Sequence, residues 1–184
     1  MNRGLWGERG RARANDIMKP QAMAHNNPYR QFGVVDKNIA ASESGYAFLL
    51  KLLDATYPAP PISEACDVWL AEVAEGRVVF EGKPSSRFYN PMGIVHGGWI
   101  STVLDSAMGC AVHSMLKAGQ AYTTVEMKVN FVRPVSEQTG IVRCEGKIVH
   151  SGGRLATAEG RLTDAAGKLL AHGSETCMIF PVTA

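Results

Sequence analysis

One stretch constrains this chain more than any other: Asn90 to Leu116, NPMGIVHGGWISTVLDSAMGCAVHSML. It opens as a loop carrying Asn90, Pro91, Gly93 and His96, and the Gly97-Gly98 pair then leads into an apolar run. Trp99, Ile100, Val103, Leu104, Ala107, Met108, Ala111, Val112, Met115 and Leu116 recur at helical spacing without a proline. The remaining positions are mostly small, so the pattern predicts a helix buried around most of its circumference. A single full charge, Asp105, interrupts it. Carboxylates are rarely buried unless they are paired or functional. Free N–H groups at a glycine-led helix start, backed by the helix dipole, suit an oxyanion. A carboxylate on the same helix suits a base or nucleophile.

The rest of the chain is organised around that helix. Residues 1–40 lack apolar periodicity and predict a flexible N-terminal arm, with 41–184 forming one folded domain. The arm holds Arg3, Arg9, Arg11, Arg13, Lys19 and Arg30 against Glu8 and Asp16, and Met18 or Met23 could equally be the start. Ser42 is a candidate N-cap for a helix through Asp54, ended by Pro58, Pro60 and Pro61. Strand-like runs follow at Cys66 to Ala74 and Arg77 to Gly82, then, after the central helix, at Tyr122 to Val132, Gly140 to His150, Arg154 to Thr163 and Lys168 to Phe180. In the third run Val125, Met127, Val129 and Phe131 alternate with polar residues, which predicts one apolar face. One buried helix with hairpin-linked strands gives an α+β fold whose antiparallel sheet curls around the helix.

Composition excludes several classes. A net charge of +2 gives no reason to invoke nucleic acid. Cys66, Cys110, Cys144 and Cys177 are widely separated, without the paired spacing of a zinc site, which fits no metal and a reducing, cytoplasmic setting. No run approaches the length of a membrane helix.

Asn90, five residues, His96-Gly97-Gly98, then Asp105 nine residues after the histidine resembles the PaaI-type acyl-CoA thioesterases of the hotdog-fold superfamily. Thr124 to Phe131 and Arg133-Pro134 resemble the strand that follows the helix in that family, and the likeness runs from about Glu64 to Pro181. It implies the hotdog arrangement and hydrolysis of an acyl-CoA to free acid and coenzyme A, with no cofactor beyond the coenzyme A of substrate and product. On this reading the Gly97 N–H holds the oxyanion, and Asp105 is general base or nucleophile. Asn90 holds water or the substrate carbonyl, and His96 orients the loop or donates to the thioester. Thr124 matches the hydroxyl position that places the water. Arg133, and Arg154 after the Ser151-Gly152-Gly153 turn, are candidates for the coenzyme A phosphates.

A helix rises about 1.5 Å per residue, which separates Gly97 from Asp105 by about 12 Å. One carbonyl cannot touch both from a single chain, so a homodimer is expected, with a tetramer left open. Two alternatives remain. One is a hotdog hydratase or dehydratase, although Phe88 occupies the position where that motif has its aspartate. The other is a non-catalytic acyl-CoA-binding protein.

Overall fold

The computed structural model describes residues 27–182. Three short helices come first: α1 (Lys37–Ala41), α2 (Gly45–Leu53) and α3 (Pro61–Cys66). Strands β1 (Val68–Ala74) and β2 (Arg77–Gly82) lead to the long helix α4 (Gly97–His113). After it come β3 (Gln120–Phe131), β4 (Val142–Ser151), β5 (Leu155–Thr163) and β6 (Leu169–Pro181). Among the described residues the strands form one six-stranded antiparallel sheet in the order β1-β2-β4-β5-β6-β3, with α4 lying against one face. This is the hotdog arrangement that the sequence pattern implies. Among the same residues no helix is long and apolar enough to cross a membrane.

Alternation builds the core. In β5, Ala156, Ala158, Gly160 and Leu162 point inward, and in β6 so do Ala171, Gly173, Cys177 and Ile179. They meet Val103, Leu104, Ala107, Met108, Ala111 and Val112 of α4, all fully buried. The helix approaches β4 so closely that a Cβ on Gly146 would lie 2.1 Å from the Ala107 carbonyl oxygen. Only glycine admits that contact. On the opposite face of the sheet, Arg77 and Arg143 join Glu72, Glu81 and Glu145 in a solvated ion-pair ladder.

The structure corrects four expectations. The α4 helix is not enclosed all round: Asp105 is solvent-exposed in the single chain, and Ser101, Thr102 and Ser106 are only partly covered. The predicted helix from Ser42 is two helices, because Ser42 C-caps α1 and Ser44 N-caps α2 through its hydroxyl on the Ala47 N–H. The segment read as the opening of the first strand, Cys66, instead ends α3, and Asp67 turns the chain in the left-handed region (φ 51°). Finally, β3 has no single apolar face. A bulge between Thr124 and Glu126 shifts the phase, so Tyr122 and then Met127 and Val129 pack toward the core while Val125 and Phe131 stay exposed.

The arm expectation covers residues 1–40, of which 1–26 lie outside the described residues. The part that is described is docked rather than loose. Asn27 is buried and its side-chain amide donates to the carbonyls of Ser63 and Val68. Tyr29 joins the core cluster, and residues 31–33 exchange backbone hydrogen bonds with Ala59. Asn27 ties the segment to the α3–β1 corner through these two carbonyls. The folded unit therefore begins before Ala41.

A chain starting at Ala41 should consequently melt at least about 5 °C below the full chain, since losing a buried aromatic and the buried Asn27 hydrogen bonds costs a few kcal/mol; a differential scanning calorimetry trace checks this. A pH effect is also expected at the end of α4. His113 stacks on Phe48 with ring centroids 5.3 Å apart, and burial lowers its pKa to about 4. The folded state keeps this imidazole neutral while the unfolded chain takes up a proton below about 6.5. Stability should therefore fall as pH drops from about 6.5 toward 4, by on the order of 3 kcal/mol for this group. Replacing His113→Phe should flatten that part of a urea-denaturation pH series.

Candidate active site

The loop before α4 is a tight turn built by Asn90. Its side-chain carbonyl accepts from the Met92 N–H at 2.9 Å and, more weakly, from the Ile94 N–H at 3.4 Å. The Asn90 N–H donates to the Ile94 carbonyl at 2.8 Å, and Gly93 takes φ 78° to close the turn. Among the described residues the Asn90 side-chain NH2 makes no hydrogen bond. The residue thus shapes the loop with one end and offers two donors with the other.

His96 is the N-cap of α4. Its Nδ1 accepts the Gly98 N–H at 2.8 Å. That fixes Nδ1 as the unprotonated ring nitrogen and leaves the Nε2–H outward. The two glycines have separate steric reasons. A Cβ on Gly98 would sit 2.9 Å from His96 Nδ1, and one on Gly97 would meet the Phe131 ring at 3.0 Å. With Gly98 capped, and the Trp99 and Ile100 N–H groups directed to the His96 carbonyl, the Gly97 N–H is the donor left without an acceptor among the described residues. It stands at the positive end of the α4 dipole.

Gly97 and Asn90 line one cavity of about 390 Å³ together with Ile100, Phe131 and Arg133. Arg133 also donates to the Leu169 carbonyl, which pins it at the mouth. The structure therefore brings Asn90, Gly97 and Arg133 together, with His96 adjoining as the cap. Arg154 and Gly152 are elsewhere: Arg154 lines a separate cavity with Gln120 and Phe180 at the far end of β6, and Gly152 closes the β4–β5 turn by donating to the Leu155 carbonyl. Within one chain Arg133 and Arg154 cannot serve the same ligand end.

The other predicted pair lies two turns along α4. Thr124 Oγ1 is 3.4 Å from Asp105 Oδ1 and 2.6 Å from Glu175 Oε1. Asp105 is exposed as a residue, yet its carboxyl rests in a recess where loss of solvent raises its pKa, with the Thr124 hydroxyl pulling the other way. A carboxylate shifted upward in this manner is a better base than a free one. Thr124 shares the inward phase of Tyr122 just before the bulge, which directs its hydroxyl toward both acids.

Glu175 was not singled out from the sequence. It is almost wholly buried, and burial raises its pKa despite the Thr124 and Cys177 hydrogen bonds. A signal for it exists: along β6, Ala171, Gly173, Cys177 and Ile179 mark the inward phase, and Glu175 falls in the middle of that phase. Among the described residues no group of three or more His, Cys, Asp or Glu side chains could hold a metal ion. The capping role of His96 has a direct test. His96→Ala should lower the melting temperature by a few degrees, the effect of losing about 1 kcal/mol of cap, whereas His96→Asn, which can cap, should restore most of it.

Comparisons with known proteins bear on the fold that carries this site. Residues 92–171 match the thioesterase superfamily. A protein of Saccharolobus solfataricus, named for a suspected esterase activity, is 32% identical over 94 residues. That match takes in 51% of this chain and 65% of the relative, so the chain spans just under two thirds of that protein's length. Among solved structures, a thioesterase family protein from Silicibacter pomeroyi superposes with a TM-score of 0.65 at 25% identity, over 72% of this chain and 98% of its own. A phenylacetic acid degradation-related protein from Ralstonia eutropha JMP134 gives a TM-score of 0.65 at 25% identity, over 71% and 98%. The PaaI protein of E. coli shares the fold at 18% identity, with a TM-score of 0.65 over 77% and 98%. With the α4-centred sheet in place, and the match over residues 92–171 taking in α4 and strands β3 to β5, the chain has the hotdog fold and is similar to the thioesterase superfamily over that segment.

Proposed function

We propose that this protein hydrolyses an acyl-CoA thioester to the free acid and coenzyme A, at a site shared by two copies of the chain. One observation carries the reading. The oxyanion donor and the base lie on the same rigid helix, about 12 Å apart, and each is surrounded by half of a hydrolytic site. Gly97 has Asn90 and Arg133 in its cavity. Asp105 has Thr124. Two helices packed antiparallel about a two-fold axis would set Gly97 of one beside Asp105 of the other.

The edge of the sheet supports such pairing. Among the described residues strand β3 has one neighbour, β6, and its other edge is unpaired over 12 residues. Val125 and Phe131 on it are 53% and 55% exposed. A long unpaired edge with exposed apolar side chains of this kind invites a second strand. A copy of the same chain, added β3 to β3 and antiparallel, satisfies the edge and brings the α4 helices side by side.

In the proposed reaction the thioester carbonyl accepts the Gly97 N–H, and the Asn90 amide donors steady the same oxygen or the water. Asp105 of the partner chain removes a proton from water held by Thr124 Oγ1. The water oxygen bonds to the carbonyl carbon as the C=O π electrons move to oxygen, where Gly97 stabilises the charge. Collapse of this intermediate breaks the C–S bond, and the thiolate leaves with the proton that Asp105 had taken. Direct attack by Asp105 to give a mixed anhydride is the variant of this scheme. Arg133, at the mouth beside Gly97, is placed for a coenzyme A phosphate. Arg154 could reach the same ligand only from another subunit.

Coenzyme A release from an acyl-CoA panel tests the activity. Asp105→Asn should keep the fold and lower kcat by ~10²–10⁴; turnover within a factor of about two of wild type would remove Asp105 from the chemistry. Sharing of the site has its own test. Asn90→Ala and Asp105→Asn, each nearly inactive, are unfolded together in equal amounts and refolded. Random pairing makes about half heterodimers, each with one intact and one doubly damaged site, so activity should recover to roughly a quarter of wild type. A mixture as inactive as its parents would show that both groups serve one site from one chain.

A further inference from the structure

Glu175 is the buried acid that the proposed reaction leaves without a role. It is 1% exposed, and its oxygens are treated very unequally. Oε1 lies 2.6 Å from the Thr124 hydroxyl and 3.0 Å from the Cys177 thiol. Oε2 is buried and has no hydrogen-bond partner among the described residues. An ionised carboxylate spreads its charge over both oxygens and needs donors on both. A bare, buried Oε2 therefore favours the neutral acid. On Oε2 the acid proton would have no acceptor, whereas on Oε1 it faces Thr124 Oγ1 across the distance of a short O–H···O bond.

Thr124 has one hydroxyl proton and two carboxyl groups within reach, at 2.6 Å and 3.4 Å. It can donate to only one of them at a time. If Glu175 is ionised, the Thr124 proton goes to Glu175 and Asp105 loses its donor. If Glu175 is neutral and donates to Thr124 Oγ1, the Thr124 proton is released toward Asp105 Oδ1. We propose that Glu175 is a positioning residue for Asp105: its proton, donated to Thr124 Oγ1, turns the Thr124 hydroxyl so that it donates to Asp105 Oδ1. The inference rests on Asp105 being the base of the proposed reaction, but its structural content does not.

The titratable and charged groups facing Glu175 are few. From α4 they are Asp105 and Cys110, from β3 Tyr122, and from β6 itself Cys177. Its register partner on β5 is Ala158, and on β3 Met127. Cys110, Tyr122 and Cys177 are all held neutral by burial. No cation among these neighbours would draw the proton from Glu175. Asp105, the more exposed of the two acids, ionises first, and its charge then holds the proton on Glu175 more firmly. Once Asp105 has ionised, the pair carries one negative charge and one proton.

Carboxyl-carbon NMR titration of the full-length protein, with Asp105→Asn and Glu175→Gln to assign the signals, is the first test. Asp105 should ionise at lower pH than Glu175. The reverse order would overturn the proposal. Thr124→Val removes the intervening hydroxyl and should move the Asp105 titration to higher pH; an unchanged Asp105 curve would also overturn it. The second test is kinetic. The wild-type kcat/KM profile should rise as Asp105 ionises and fall as Glu175 does. Glu175→Gln keeps a donor to Thr124 but cannot ionise, so the rise should stay and the fall should vanish. A lower rate with the wild-type profile would mark Glu175 as merely structural and sink the idea. Wild-type protein that cleaves no acyl-CoA would count against the proposed function, while the NMR order of ionisation would still decide the role of Glu175.

Discussion

The contact between α4 and the concave face of the sheet is the interaction on which everything else depends. It is close because small residues line both sides: Ala107 and Ala111 on the helix, Gly146, Ala156, Ala158 and Gly160 on the strands. A Cβ at Gly146 would collide with helix backbone, so the helix cannot slide or roll without losing contact. Interiors packed at such density hold their parts in fixed register. That rigidity sets the separation between the helix start and Asp105, and a fixed separation of about 12 Å makes a shared site the economical arrangement.

The same contact sorts the polar groups by environment. The helix stripe that faces the sheet is wholly apolar, and the stripe that faces away carries Ser101, Thr102, Asp105 and Ser106. At the border between the two stripes β3 sets Thr124 beside Asp105, and the inward phase of β6 delivers Glu175 behind it. Two carboxyl groups thus meet one hydroxyl, one acid near solvent and the other almost out of it. Groups of one kind in unequal surroundings separate in acidity, which is how paired acids acquire different tasks.

The helix start shows the complementary solution. His96, Gly98 and the first turn satisfy one another, and the Gly97 N–H, without an acceptor among the described residues, opens into the cavity shared with Asn90 and Arg133. A histidine that caps the helix through Nδ1 and keeps Nε2–H outward links the local fold to the mouth of the site. The glycines here are dictated by neighbours, Phe131 for one and the His96 ring for the other, so folding and ligand access make the same demand of the sequence.

The central helix, the six strands and the residues at the head of α4 were legible because they depend on local pattern: helical spacing, period-two alternation and turn residues. Asn90, Gly97, Asp105 and Thr124 carried a recognisable spacing for the same reason. Three things required the folded chain. The exposure of Asp105 depends on which side of α4 the sheet covers, and spacing alone does not state this. The phase of β3 depends on a bulge that answers the register of β6, so alternation alone does not place Val125 and Phe131. The docking of residues 27–33 depends on carbonyls of Ser63, Val68 and Ala59, far away in sequence. Glu175 lies between these cases. Its inward phase is written in β6, but its meeting with Thr124 and Asp105 is made by the β3–β6 register, a long-range pairing that no local window of the sequence contains.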